Sequence, residues 1–138
     1  MAENGILKIG KRTAFQAHQI EHQLGAYTDC NHGQGLAVIH PVMYRQLLKS
    51  DPSKFARFAT NVWMVEPTNK TALELASAGI DALEQFIKTM GLPTSFHQMG
   101  IKDDVDYRAI ADSTNIITTG CFTPLTADEI YSILLQCR

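Results

Sequence analysis

Apolar residues recur along the chain at three- and four-residue spacing, and no alternating apolar–polar stretch reads as a strand. Phe55, Phe58, Val62 and Trp63 form one such stripe. It follows Asp51-Pro52-Ser53, which reads as an N-cap with proline at the first helical position. The longest predicted helix covers about 70–90, with Leu73, Ala76, Ile80, Leu83, Phe86 and Ile87 on one side. Gly91 supplies its left-handed stop and Pro93 reinforces it. A shorter helix is predicted over about 101–113, where Asp103 and Asp104 suit the positive end of the helix dipole. Residues 114–124, rich in Thr and Gly, read as loop. Thr126 and Glu129 form a capping box that opens a last helix with Ile130, Ile133 and Leu134 inward.

Two more helices precede these. Thr13 and Gln16 have capping-box spacing, predicting a helix over about 14–26. Asn31, with Gln34 at the third helical position, caps another that opens at His32, and Pro41 should kink it. Ahead of both lies a short apolar segment (Ile6, Leu7, Ile9) ended by Gly10. The pattern predicts an all-α bundle of six or seven helices forming one domain over 1–138, a length that supports a sizeable core. Composition, at 45% apolar and 19% charged, is that of an ordinary globule. A net charge of −2 leaves no electrostatic footprint for nucleic acid or an anionic membrane. No apolar run reaches membrane-spanning length, and the first ten residues do not read as a signal sequence. Cys30, Cys121 and Cys137 form no C-x-x-C, so a reducing, cytoplasmic setting is expected.

The candidate chemistry is concentrated in residues 13–42, which hold four of the five histidines: His18, His22, His32 and His40. His18 and His22 are four apart, so on a helix they share a face, with Glu21 on nearly the same stripe. From position 18 to 25 a helix rises only ~10 Å, while the following loop can span ~20 Å. The chain can therefore return His32 level with His18. At the first position of a helix, His32 also feels the positive dipole end, which favours the neutral imidazole that binds metals. This reads as half of a metal site. The competing reading is a polar surface cluster, with Glu21 a solvated carboxylate. His40, before Pro41 in an apolar run, reads as a hydrogen-bonded core residue, His97 as a loop histidine and Cys30 as a buried thiol.

Two known patterns use helical histidines at this spacing. His18-Gln-Ile-Glu21-His22 matches H-x-x-E-H of the inverted zinc peptidases over five residues. The longer pattern couples His18-x-x-x-His22 to His32-Gly33-Gln34-Gly35-Leu36-Ala37. It resembles the iron-containing (group III) alcohol dehydrogenases, most closely their butanol-dehydrogenase branch. The likeness continues in Asn4-Gly5-Ile6-Leu7, in Leu92-Pro93-Thr94 and from Phe122 to Ile130, and so covers nearly the whole chain.

The resemblance implies a dehydroquinate synthase-like helical C-terminal domain. It would partner an N-terminal nucleotide-binding domain that this sequence lacks, since it has no Gly-rich phosphate loop and no βαβ unit. His18 and His32 would bind a divalent metal, Fe²⁺ or else Zn²⁺, beside an Asp and a His from the other domain. His22 would lie near the nicotinamide of NAD(P) and relay a proton, and Glu21 would orient a ligand ring. Phe15 and the loop at Thr118 would wall the pocket for a primary alcohol or aldehyde, although Phe15 also reads as plain core. The chain alone is expected to be inactive and to bind metal weakly or not at all. The alternatives are a peptidase with His18 and His22 as ligands, Glu21 as base and Glu74 or Glu84 as a third ligand, or a non-catalytic helical module.

Overall fold

The structure, a computed structural model, describes residues 15–114 and 123–138. Helices α1 (Gln16–Thr28), α2 (His32–Leu47), α3 (Ser53–Val62), α4 (Ala72–Thr89), α5 (Tyr107–Ser113) and α6 (Ala127–Gln136) follow in chain order. A 3-10 turn (His97–Met99) lies between α4 and α5. Among the described residues there is no strand, in agreement with the all-α pattern.

Local capping chemistry sets most of the boundaries. Asn31 accepts the Gln34 N–H at the head of α2, and Thr126 and Glu129 form the reciprocal box that opens α6. An equivalent box, Thr71 with Glu74, starts α4 slightly later than the apolar pattern alone places it. At the other end of α4, Gly91 sits at φ 71°. Its N–H bonds the Lys88 carbonyl while the Leu92 N–H reaches Ile87, a Schellman stop. Asp51 accepts the Ser53 N–H at 2.9 Å, although Pro52 rather than Asp51 is the half-helical residue before α3.

Two boundaries differ from the sequence reading. Thr13 lies outside the described residues, and α1 starts behind Phe15 with no side-chain cap. Gln16 is buried at the first position of α1. Its buried amide donates to the Thr123 carbonyl, tying α1 to the segment before α6. The helix placed at 101–113 is only α5, capped by Asp106 through the Ala109 N–H. Asp103 instead binds Arg138 and His97, a long-range clasp on the C-terminus that local sequence does not announce.

The main core joins Ile20 and Leu24 of α1, Val38, Ile39 and Met43 of α2, Phe96, Ile110 of α5 and Ile130, Ile133 and Leu134 of α6. Burial in this core drives the Cys137 thiol pKa up to about 12, so it stays a protonated, inert packing group. Helices α3 and α4 form a hairpin in which Gly79 lies directly against Ala59. A smaller cluster of Leu48, Ala76 and Ile80, with Tyr44 and Phe55 against it, joins the hairpin to α2. Arg45 reinforces that junction by reaching Asp81 at 2.7 Å and Glu84 at 2.9 Å.

The α3 stripe is not core. Only Ala59 is buried on that helix, Phe55 and Phe58 are half-buried, and Val62 is 55% exposed. On α4, Leu73 and Phe86 are likewise exposed while Ile80 and Ile87 are buried. For Phe55, Phe58 and Phe86 the reason is geometric: they line an open apolar groove between the hairpin and the α1–α2 pair.

Candidate metal centre

The connection from α1 to α2 is only Asp29-Cys30-Asn31. Asp29 takes a left-handed conformation at φ 52°, its N–H closing onto the Gly25 carbonyl, and the chain turns back at once. The return sets the first residue of α2 beside the middle of α1. The ring centroids of His18 and His32 are 5.3 Å apart, those of His22 and His32 5.1 Å, and those of His18 and His22 6.1 Å. Three imidazoles thus converge at one end of the α1–α2 pair, with His22 and His32 exposed and His18 half-buried. Phe15 packs edge-on against His18 at 5.4 Å.

Beneath this triad Glu21 is 2% exposed, whereas the His32 side chain is 48% exposed. His32 Nδ1 and Glu21 Oε2 are in hydrogen-bond contact. Glu21 is therefore not a solvated surface carboxylate. Potential ligand atoms of Glu21, His22 and His32 lie within 4.8 Å of one another, a second grouping beside the His18–His32 pair. Imidazole nitrogens with a nearby carboxylate are a donor set suited to Fe²⁺ or Zn²⁺.

Beside His18 opens the groove, a cavity of about 680 Å³ whose walls include Phe15, Leu36, His40, Tyr44, Phe58 and Phe86. Its size falls in the range of ligand pockets. Phe15, one of the two residues assigned to the pocket wall, does line it, whereas Thr118 lies outside the described residues.

A profile described as Fe-containing alcohol dehydrogenase family, C-terminal, matches residues 4–137. The chain belongs to the iron-containing alcohol dehydrogenase family. It is 32% identical to the NADH-dependent butanol dehydrogenase A of Clostridium acetobutylicum over 138 residues, covering 96% of this chain and 35% of that protein. Identity to the probable NADH-dependent butanol dehydrogenase 1 of Bacillus subtilis is 35%, with 97% and 35% covered. Among solved structures, the NADH-dependent butanol dehydrogenase A of Thermotoga maritima superposes with a TM-score of 0.84 at 29% identity. That likeness covers 99% of this chain and 36% of the relative. The chain thus spans about a third of the length of these relatives, and its likeness to the helical region of family members agrees with the all-α fold.

The remaining histidines have structural contacts. His40 Nδ1–H donates to the Leu36 carbonyl at 2.9 Å, as expected of a hydrogen-bonded residue within an apolar run. Burial holds its pKa below the ordinary histidine value, with the nearby His18 acting in the same direction. The unfolded chain therefore takes up a proton at a higher pH than the native one, so this contribution to stability is complete above the ordinary histidine pKa and is lost as pH falls below it. His40→Gln should reduce the drop in urea midpoint between pH 7.5 and pH 5.5. An undiminished drop would assign the acid sensitivity to other groups. His97 lies in the 3-10 turn and binds Asp103 at 2.8 Å. Cys30 is half-buried rather than buried, and burial also raises its thiol pKa.

The family supersedes the peptidase alternative, and the geometry agrees. Glu21, its required base, is already engaged by His32. Neither carboxylate considered as a third ligand is free, since Glu74 closes the cap of α4 and Glu84 holds Arg45.

Proposed function

We propose that this chain is the metal-binding helical domain of an NAD(P)-dependent oxidoreductase that interconverts primary alcohols and aldehydes. The observation that carries the reading is the 5.3 Å approach of the His18 and His32 rings, fourteen positions apart, in a member of the iron-containing family. His18 and His32 act as two protein ligands of a divalent metal, Fe²⁺ in the first instance and Zn²⁺ as the substitute. An Asp and a His come from a nucleotide-binding domain. A metal held there would supply Lewis acidity toward the alcohol oxygen. NAD(P), held by the partnering domain, would be the hydride acceptor. His22, exposed and 5.1 Å from the His32 ring, carries the released proton toward solvent. Phe15 covers one side of His18 and limits water there.

Butanol and propanediol appear in the names of relatives, and a primary alcohol of that kind is the proposed substrate. Nicotinamide binding is assigned to the partnering domain, which would carry the Gly-rich phosphate loop. Cys30 and Cys137 are free thiols, which suits a reducing compartment such as the cytoplasm.

The test joins this chain to the remaining two thirds or so of the Bacillus subtilis relative, the part that this chain does not match. The folded fusion should oxidise butanol with NAD⁺ or NADP⁺ only when a divalent metal is present, and the 138-residue chain alone should not. Turnover by the chain alone would contradict the division of labour. A folded, metal-loaded fusion without activity would favour a non-catalytic helical module.

A further inference from the structure

Among the described residues, Glu21 is the charged side chain that is buried. A carboxylate withdrawn from water needs a specific partner, and the surroundings of Glu21 are built around one. Oε2 is in hydrogen-bond contact with His32 Nδ1, while Oε1 points to the interior side of the α1–α2 contact, 3.9 Å from the Cys30 sulfur. A Cβ placed on Gly35 would stand 2.8 Å from Glu21 Cγ and 2.9 Å from Oε1. One on Gly25 would be 3.8 Å from the same oxygen. Gly35, itself buried, therefore makes the slot in α2 that receives the Glu21 side chain.

This arrangement has a chemical consequence. A carboxylate has no hydrogen to give, so the proton of the contact belongs to His32 Nδ1. The neutral ring then keeps its lone pair on Nε2, its one remaining nitrogen. We infer that Glu21 is a positioning residue that locks His32 in the Nδ1–H tautomer and presents Nε2 as the ligating atom, and that Gly35 exists to house it. The inference rests on the reading of His32 as a metal ligand. It gives His18, Glu21, His22, His32 and Gly35 separate tasks within one unit. On this reading Glu21 serves His32 rather than the metal directly, with Oε2 on the His32 ring and Oε1 beside Gly25 and Gly35. Such carboxylate–imidazole pairs fix ring orientation and raise ligand basicity.

The test uses the 138-residue chain labelled with ¹⁵N and ¹³C, first without metal. His32 should show a protonated Nδ1 and an unprotonated Nε2. Glu21→Gln should turn this into a mixture of tautomers with helix content unchanged, and should lower Zn²⁺ affinity roughly 10- to 100-fold. Gly35→Ala should produce the same tautomer change by displacing Glu21. Should Glu21→Gln fail to fold, the wild-type tautomer decides alone: an Nε2–H ring overturns the proposal. A folded Glu21→Gln chain with both tautomer and affinity unchanged also overturns it. So does a Zn²⁺-induced shift of the Glu21 carboxyl carbon with loss of the His32 contact, because Glu21 is then a ligand. If instead the tautomer depends on Glu21 but Zn²⁺ leaves His32 unperturbed, the lock stands and the metal reading fails.

Discussion

His32→Ala is expected to lower the affinity of the chain for Zn²⁺ or Co²⁺ by roughly two orders of magnitude or more, at least the loss produced by removing an outer-shell partner. His18→Ala should match it. His22→Ala should leave affinity within a few-fold while removing the proton relay. Titration calorimetry on the three variants, with helix content checked by circular dichroism, measures this directly. The pattern is informative because geometry alone offers a second choice, in which Glu21, His22 and His32 bring ligand-type atoms within 4.8 Å. Under that arrangement His22→Ala would be as damaging as His32→Ala, and His18→Ala would be nearly silent. The His18–His32 assignment predicts the reverse. Absolute affinity should be modest in every case, because two imidazoles are fewer ligands than a tight metal site needs.

Gly79→Ala should cost the fold up to about 2 kcal/mol net, with a fall of several degrees in Tm. The new Cβ would lie 2.7 Å from the Ala59 Cβ, 2.9 Å from its Cα and 3.2 Å from its backbone nitrogen. Backbone atoms have no rotamer to escape through, so α3 must retreat from α4. The gain in helix propensity on replacing glycine, about 1 kcal/mol, offsets only part of an overpacking penalty of about 1–3 kcal/mol. Adding Ala59→Gly should recover part of the loss and no more, since Cα and N remain in the way. The groove beside His18 should also change shape, because the hairpin supplies its far wall through Phe55, Phe58 and Phe86. Urea unfolding of the single and double variants provides the measurement. A Gly79→Ala chain as stable as wild type would mean that the two helices are not in close contact.

The features legible in the sequence are those set by neighbouring residues. Asn31, Gly91 and the Thr126–Glu129 pair act over three or four positions, and each does in the structure what its spacing implied. The same logic reaches Thr71-Ala-Leu-Glu74, an equal signal that a reading centred on apolar periodicity passes over. Helix periodicity also brought His18 and His22 to one face, and the short turn after Gly25 allowed His32 to join them.

The features that were not legible depend on distant partners. Asp103 looks like a helix-start residue until Arg138, 35 positions away, claims it. Phe55 and Phe58 have the periodicity of a core stripe, but periodicity cannot say whether a second surface closes over them. Glu21 is the most instructive case. A carboxylate between two histidines on a helix face reads equally as solvated or functional, and its burial is decided by the missing side chain at Gly35, fourteen residues on. The second glycine of His32-Gly-x-Gly35 was the available signal for that slot.

The central claim is that His18 and His32 share a metal ion. Addition of Zn²⁺ to the ¹⁵N-labelled chain, followed through the ring nitrogens of all five histidines, tests it most directly. One ring nitrogen of His18 and one of His32 should shift together along a single binding curve, with His40 and His97 unmoved. Joint movement of His22 and His32 with His18 unchanged would contradict the claim.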